Sequence, residues 1–419
     1  MGNSKGLIGI TVTGLMLLVA LAAANAKVTV APPASVASKA AGLPKPALRP
    51  EINYSFDSPA GLHALHEFSI TTLRRGLADQ DQFERLFAAS ALGVNGDPVG
   101  AMMLEEGFHS PDPSIRMASA DGLADIGDAK AAAVLQRLLY ETSDGYRRRL
   151  LVEALSEAKD HAAVVALVEA SKEADPGMRM EAALALGRLG RSEAVPQLRS
   201  LLTTEREPIT RTIVAHALLL LGDSTGLETL KVALERGSDS DVKGMAAVAL
   251  GDARDPAMVA PLERALAGGD LEVRMAAAAA LTHYSRRDGL WLLKAAITDR
   301  DFFVRHRLGN LLEHLDLTVG REVVVAALSA HDAGLQLAAT KAMGLLGGDE
   351  EVATLIKLFH RTEDPILRAD IAWALGRIAR PACIEPLIDM VAEPDAAVRY
   401  TAADALARTT NRLLNRPQN

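Results

Sequence analysis

The sequence predicts an all-α fold of stacked helical hairpins, and three observations lead there. Composition is the first. The 419 residues include only 2 Trp, 5 Tyr and 8 Phe, while Ala and Leu dominate, which suits helices packed closely through small side chains. A steady repeat is the second. With the Arg of "GMRMEAALALG" as an anchor, equivalent positions fall at Arg85, Arg116, Arg148, Arg179, Arg211, Lys243, Arg274, Arg305, Gln336, Arg368 and Arg399, always 31 or 32 residues apart. Eleven copies at that period indicate hairpins that bury their apolar faces against neighbours, not separate globular domains. Helix punctuation inside each copy is the third. In "DPGMRMEAALALGRLGRSEAVPQLRSLL", Asp175 and Pro176 suit an N-cap and first helical residue. Ala182, Ala183, Leu186 and Leu189 then make one apolar face, Gly190 stops the first helix, and a second starts near Pro196.

Taken in order, the chain opens with "MGNSK", an uncharged apolar run to Ala23, and "ANA" ending at Ala26. This reads as a signal peptide over 1–26, with a periplasmic or extracellular destination. The rival is an uncleaved anchor facing the non-cytoplasmic side, since the run approaches the roughly 20 residues that span a bilayer. Residues 27–50 hold five prolines and no acid, and read as a linker. Residues 51–80, with Leu62, Leu65, Phe68, Leu73 and Leu77 at helical spacing, are expected to cap the array at its N-terminal end. The array itself is expected over 81–411, followed by a polar tail at 412–419.

An acid stands four residues before every anchor, at Asp81, Asp112, Asp144, Asp175, Glu207, Asp239, Asp270, Asp301, Asp332, Asp364 and Asp395. Acids at a helix start cap free N–H groups and complement the dipole, and a base at i+4 lies one turn along the same face. Pairs such as Asp81 with Arg85, Asp112 with Arg116, Asp144 with Arg148, and Asp175 with Arg179 are therefore expected to bridge copies as a ladder. Asp270 with Arg274, Asp301 with Arg305, Asp364 with Arg368 and Asp395 with Arg399 continue it. Presence in every copy marks scaffolding, because an active site needs one constellation.

Stretches such as "DPSIRMASADGLADIGD" and "DPILRADIAWALGRIARPACIEPLIDMV" resemble HEAT repeats of the short bacterial, phycobilin-lyase-like type, and the resemblance covers about residues 80–411. It implies a right-handed α-solenoid of about eleven hairpins whose second helices line a concave face. It also implies an interaction scaffold in most cases, with bilin lyases, repeat-type DNA glycosylases and the di-iron deoxyhypusine hydroxylase as a catalytic minority.

The catalytic minority can be tested against residues. The hydroxylase type binds metal through several His-Glu dipeptides, and only His66-Glu67 occurs here. A formal net charge of −8 argues against a nucleic-acid groove. Cys383 is the sole cysteine, which excludes an intramolecular disulfide and a Cys-based zinc site. No GxSxG elbow or Walker loop is present. His283 and His314 both lie nine places after their anchors and read as surface histidines. These observations lead to a non-catalytic scaffold, not an enzyme, with no cofactor and no metal, binding a protein or peptide and no nucleic acid; the alternatives are a HEAT-type enzyme, bilin-lyase-like or metal-dependent, and a membrane-anchored envelope adaptor.

The copies around Arg274, Arg305 and Gln336 depart most from the pattern. "REVVVAAL" is apolar nearly all round, so it is either buried on both sides or presents a patch. The outward positions of the second helices there give candidate partner contacts at Leu292, Lys294, Val323, Val325, Ile356 and Lys357.

Overall fold

The computed structural model describes Ser55 and residues 58–415 except 128, 143–144 and 158–160. The expected signal segment, the linker, Asp144 and residues 416–419 lie outside the described residues. Helix α1 (Pro59–Gly76) comes first. Each copy then begins with an even-numbered helix: α2 (Gln82–Val94), α4 (Pro113–Ile126), α6 (Gly145–Glu157), α8 (Pro176–Leu189), α10 (Pro208–Leu220), α12 (Ser240–Asp252), α14 (Leu271–Thr282), α16 (Phe302–Leu312), α18 (Ala333–Leu346), α20 (Pro365–Ile378) and α22 (Ala396–Leu414). The second helices are α3 (Pro98–Gly107), α5 (Ala129–Glu141), α7 (His161–Ala170), α9 (Val195–Thr204), α11 (Leu227–Arg236), α13 (Val259–Leu266), α15 (Leu290–Ala296), α17 (Leu317–Leu328), α19 (Asp349–Phe359) and α21 (Ile384–Val391). No strand occurs among the described residues. The fold is an all-α solenoid in which the eleventh copy supplies α22 without a second helix among the described residues.

Local chemistry sets these boundaries. In nine copies the acid four before the anchor is the N-cap and accepts a backbone N–H from the first turn. Asp112 accepts from the Ser114 N–H at 2.8 Å and Asp301 from the Phe303 N–H at 2.8 Å. Glu207, one methylene longer, makes no such bond. Among the described residues, every positive φ falls eleven places after an anchor: Gly96, Gly127, Gly190, Gly222 and Gly347, but also Arg254, Ser285 and Ala379. The left-handed residue that turns the first helix into the second is thus a property of the repeat. Three copies carry a Cβ there against its preference.

Successive first helices touch through a small-residue contact. A Cβ at Gly187 would lie 2.9 Å from Ala217 Cα, at Gly251 2.9 Å from Ala280 Cα, and at Gly376 2.8 Å from Ala405 Cα. Each glycine is eight places after its anchor and each alanine six after the next, so one sequence register fixes the stacking distance.

The chain divides into two compact units, Met1–Leu138 with Met343–Asn419, and Leu139–Ala342. In the first, α22 packs along both α20 and α1. Tyr400 Oη donates to Asp79 Oδ2 at 2.8 Å, and Asn95 Nδ2 donates to Asp404 Oδ1 at 2.7 Å. Helix α1, expected to cap one end of the array, thereby lies against the last helix of the chain.

Glu84, half-buried on α2, has its pKa pushed up from 4.5 to about 7 by burial, and then by Asp79, Asp81 and Asp395, with Arg399 opposing. Because the folded value is the higher one, this contribution to stability is complete below about pH 4.5 and fades as pH rises through about 7. Glu84→Gln is expected to flatten that loss. Urea-denaturation midpoints of wild type and variant at pH 5 and 8 check it, and parallel shifts in the two proteins would refute it.

Candidate functional site

The anchor arginines hold the stack together in a way the sequence pattern does not display. Arg179 Nη1 donates to the carbonyls of Glu173 and Ala174 at 2.9 and 2.7 Å, tying down the loop before its own helix. Its remaining nitrogens grip Glu205 of the next copy at 2.6 and 3.0 Å. Arg148 with Glu173, and Arg368 with Glu393, repeat that cross-copy pair at 2.6 Å. The partner acid in these three pairs stands six places before the next anchor. The acid at minus four is occupied with capping, though it also serves as a bridge where Arg305 meets Asp332 at 2.8 Å. Arg85, Arg116 and Arg399 likewise clamp the carbonyls before their helices. Arg274 differs: its Nε donates to Leu266 O at 3.2 Å, and its guanidinium lies 5.9 Å from the Trp291 ring centroid.

A groove of about 1090 Å³ runs along α15 and α17 in the unit Leu139–Ala342. Its floor includes Ile297, Val325, Ala326 and Ala330, and its walls carry paired charges. Glu322 is held between Lys294 and, at 3.9 Å, Arg287. The hydrogen bond from Lys294 comes first among the causes that keep the Glu322 carboxyl below the usual range. Arg305 does the same for Asp332 from the opposite end. Phe302 and Phe303 stand exposed nearby, with the Arg305 guanidinium 5.9 Å from the Phe302 ring centroid. An apolar floor between charged walls suits an extended ligand that carries both methylenes and charge.

Of the candidate contacts, Lys294 and Val325 line this groove. Leu292 and Val323 are buried and offer no surface. On α17, Val323, Val324, Ala327 and Leu328 together form the face packed on the array, so the outward column starts later than the pattern of α9 suggests. Ile356 is half-buried and Lys357 exposed on α19, in the other compact unit.

A second cluster was hidden from sequence reasoning. His216 Nε2 lies 2.9 Å from Asp252 Oδ2, His283 Nε2 lies 3.9 Å from Asp252 Oδ1, and the same His283 nitrogen is 2.9 Å from the His314 carbonyl oxygen. His283 and His314 are therefore not free surface histidines. Position plus nine sits at the end of each first helix, where stacking brings successive copies together. His216, five places after its anchor, meets position plus nine of the next copy, as Ser90 does where its Oγ donates to Asp125 Oδ2 at 3.3 Å. Burial raises the Asp252 pKa, but the His216 hydrogen bond and the charges of His216, His314 and His283 outweigh it and the net shift is downward.

Curated relatives bear on what such a scaffold does. Bovine (Bos taurus) deoxyhypusine hydroxylase is 31% identical over 237 residues, 55% of this chain and 74% of that protein. The mouse (Mus musculus) deoxyhypusine hydroxylase is 29% identical over the same shares. Among solved structures, the complex of CpcE and CpcF of phycocyanin lyase from a Nostoc species matches 54% of this chain and 92% of that chain at 24% identity and a TM-score of 0.37. The expectation of a non-catalytic scaffold, and with it the expectation that the chain is not an enzyme, is corrected by the two hydroxylases. Sequence reasoning went astray by treating eleven equal repeats as if their regularity spoke against catalysis.

The metal centre that the hydroxylase type implies can be tried against the residues present. The one His-Glu dipeptide lies on α1, where His66 Nδ1 is 3.3 Å from both the Ala407 carbonyl oxygen and Thr410 Oγ1. It is spent on the junction with α22. Among the described residues no group of three or more His, Cys, Asp or Glu is placed to hold a metal ion. The described residues do not fit that centre. What the chain does share is the repeat: a profile of HEAT repeats matches residues 70–156, 148–219, 207–282, 227–313, 289–376 and 352–414, and the chain belongs to the HEAT-repeat family.

Proposed function

We propose that this chain is a HEAT-repeat enzyme that takes an amine-bearing side chain of a protein as its substrate, seated in the groove along α15 and α17. The observation that carries the reading is the 31% identity to the bovine deoxyhypusine hydroxylase across 74% of that protein. That name describes action on a lysine-derived amine, and the groove supplies matching chemistry. Glu322 and Asp332 are carboxylates held ionised, and the apolar floor at Val325 and Ala330 suits the methylenes of such a side chain. The dipeptide ligand set does not fit, so the proposed kinship is in substrate class and scaffold, not in metal centre. The uncharged N-terminal run supports export, which would place that substrate outside the cytoplasm.

A deoxyhypusine-bearing protein incubated with the full chain tests this, with mass spectrometry reading the modified side chain. A covalent mass change is expected, slowed about 10-fold in Glu322→Gln, the loss of one charge-assisted hydrogen bond. Unchanged substrate together with no measurable binding to the wild-type chain would remove the proposal.

A further inference from the structure

We propose that His216, Asp252, His283 and His314 form an acid-released clasp across four successive first helices, closed around one carboxylate and opened when a second and third imidazole take up protons. The clasp joins the body of α10 to the C-terminal ends of α12, α14 and α16. Histidine is the side chain whose charge changes between about pH 5 and 8, so this cluster responds where the surrounding Asp and Arg residues do not.

Charge balance decides the direction. One protonated imidazole is matched by Asp252, which His216 meets at 2.9 Å. A second finds only Glu313, 3.9 Å from His314 Nε2 and mostly exposed, so water screens the pair. The third, His283, shares Asp252 at 3.9 Å and feels the charge of Asp316 without a hydrogen bond to it, and the Arg188 guanidinium from α8 adds to the repulsion at His314. Asp316 feels the charge of His283 from the start of α17, but its oxygen already accepts N–H bonds from Thr318 and Val319. Tyr284, which also faces Asp252, donates its hydroxyl to the Leu250 carbonyl at 2.6 Å, and burial keeps that proton on the phenol.

Hydrogen bonding points the same way. His283 Nε2 faces the His314 carbonyl, so it carries the proton and Nδ1 keeps a lone pair. That Nδ1 is buried without a hydrogen-bond partner. Protonating it would create a buried N–H with no acceptor as well as a charge, and both are unfavourable. Burial, the largest cause, also holds His314 below the ordinary value of 6.5, against Glu313 and Asp252. A base whose folded pKa is depressed stabilises the fold above its ordinary value, and that contribution is lost as pH falls from about 6.5 through the folded value.

The consequence reaches the groove, because α14–α15 and α16–α17 are the hairpins whose second helices wall it. Loosening His283 from His314 loosens those hairpins from each other, whatever molecule lies between them.

Hydrogen exchange on the full chain tests the clasp, read for peptides spanning 276–284 and 307–316 at about pH 7.5 and 5.5 and corrected for intrinsic rates. Wild type is expected to lose protection about 10-fold or more at the lower pH, as is His331→Asn, whose imidazole lies outside the cluster. The double variant His283→Asn, His314→Asn is expected to change less than about 2-fold. Equal protection of wild type at both pH values, or an equal loss in the double variant, overturns the clasp. Should the double variant not fold, NMR titration of the wild-type histidines decides instead. His314 is expected to titrate below its ordinary value of 6.5, and a midpoint at or above that value overturns the proposal.

Discussion

Arg179→Ala is expected to destabilise the array by about 3–5 kcal/mol, the loss typical of removing one partner from a buried ion pair. Glu205 is the reason. Its side chain is only 2% exposed, and Arg179 supplies two of its hydrogen bonds, at 2.6 and 3.0 Å. The others come from the N–H groups of Arg206 and Glu207, so truncation leaves a nearly dry carboxylate half satisfied. Truncation also releases the carbonyls of Glu173 and Ala174. The hydrogen bond from Arg179 is the largest cause that lowers the Glu205 pKa, opposed by burial and helped by the two backbone N–H groups. A depressed carboxylate stabilises the fold above its ordinary value and loses that contribution as pH falls through the folded value. The variant should therefore show a shallower loss of stability on acidification as well as a lower thermal midpoint. A midpoint within a degree of wild type would contradict the role given to this pair.

Gly376→Val is expected to lose about 1–3 kcal/mol or more by overpacking. A Cβ at Gly376 falls 2.6 Å from Ala405 Cβ and 2.8 Å from its Cα, so relief requires moving the backbone of α22 and not merely a side chain. Since α22 also packs on α1, the displacement is felt at both junctions. Gly269→Ala is the fitting control, since nothing lies within 4 Å of its added Cβ. Equal thermal midpoints for the two variants would mean that the glycine register does not set the helix spacing.

The features legible in the sequence are those governed by neighbours in the chain. An N-cap such as Asp175 and a stop such as Gly190 act within a few residues, so their spacing displays them, and α8 has the expected boundaries. Contacts across copies are less visible. The acid that pairs with Arg179 is Glu205 and not a capping Asp, because the choice depends on how far one hairpin is displaced along the next. Helix rotation is harder still. Val323 is expected to face outward, yet on α17, which begins at Leu317 and runs 12 residues where α15 has 7, it falls on the buried face. Kinship with the hydroxylases was within reach of the repeat resemblance and was set aside because, of the several metal dipeptides that type uses, this chain has His66-Glu67 alone.

The junction of α1 with α22 has a consequence for how the protein is made. Stacked hairpins bury their surface against neighbours close in sequence, so folding can spread from copy to copy as each emerges. The bond from His66 to the Ala407 carbonyl spans 341 positions, and that from Tyr400 to Asp79 spans 321. At about 5–20 residues per second, α1 waits roughly 17 to 70 s for the helix it will lie against. During that interval Leu65, Leu73 and Leu77, all buried in the finished fold, lack their final packing partners. Helix α1 is thus among the last elements to settle, and a chain truncated before Ala396 leaves it without α22 however well the copies between have folded.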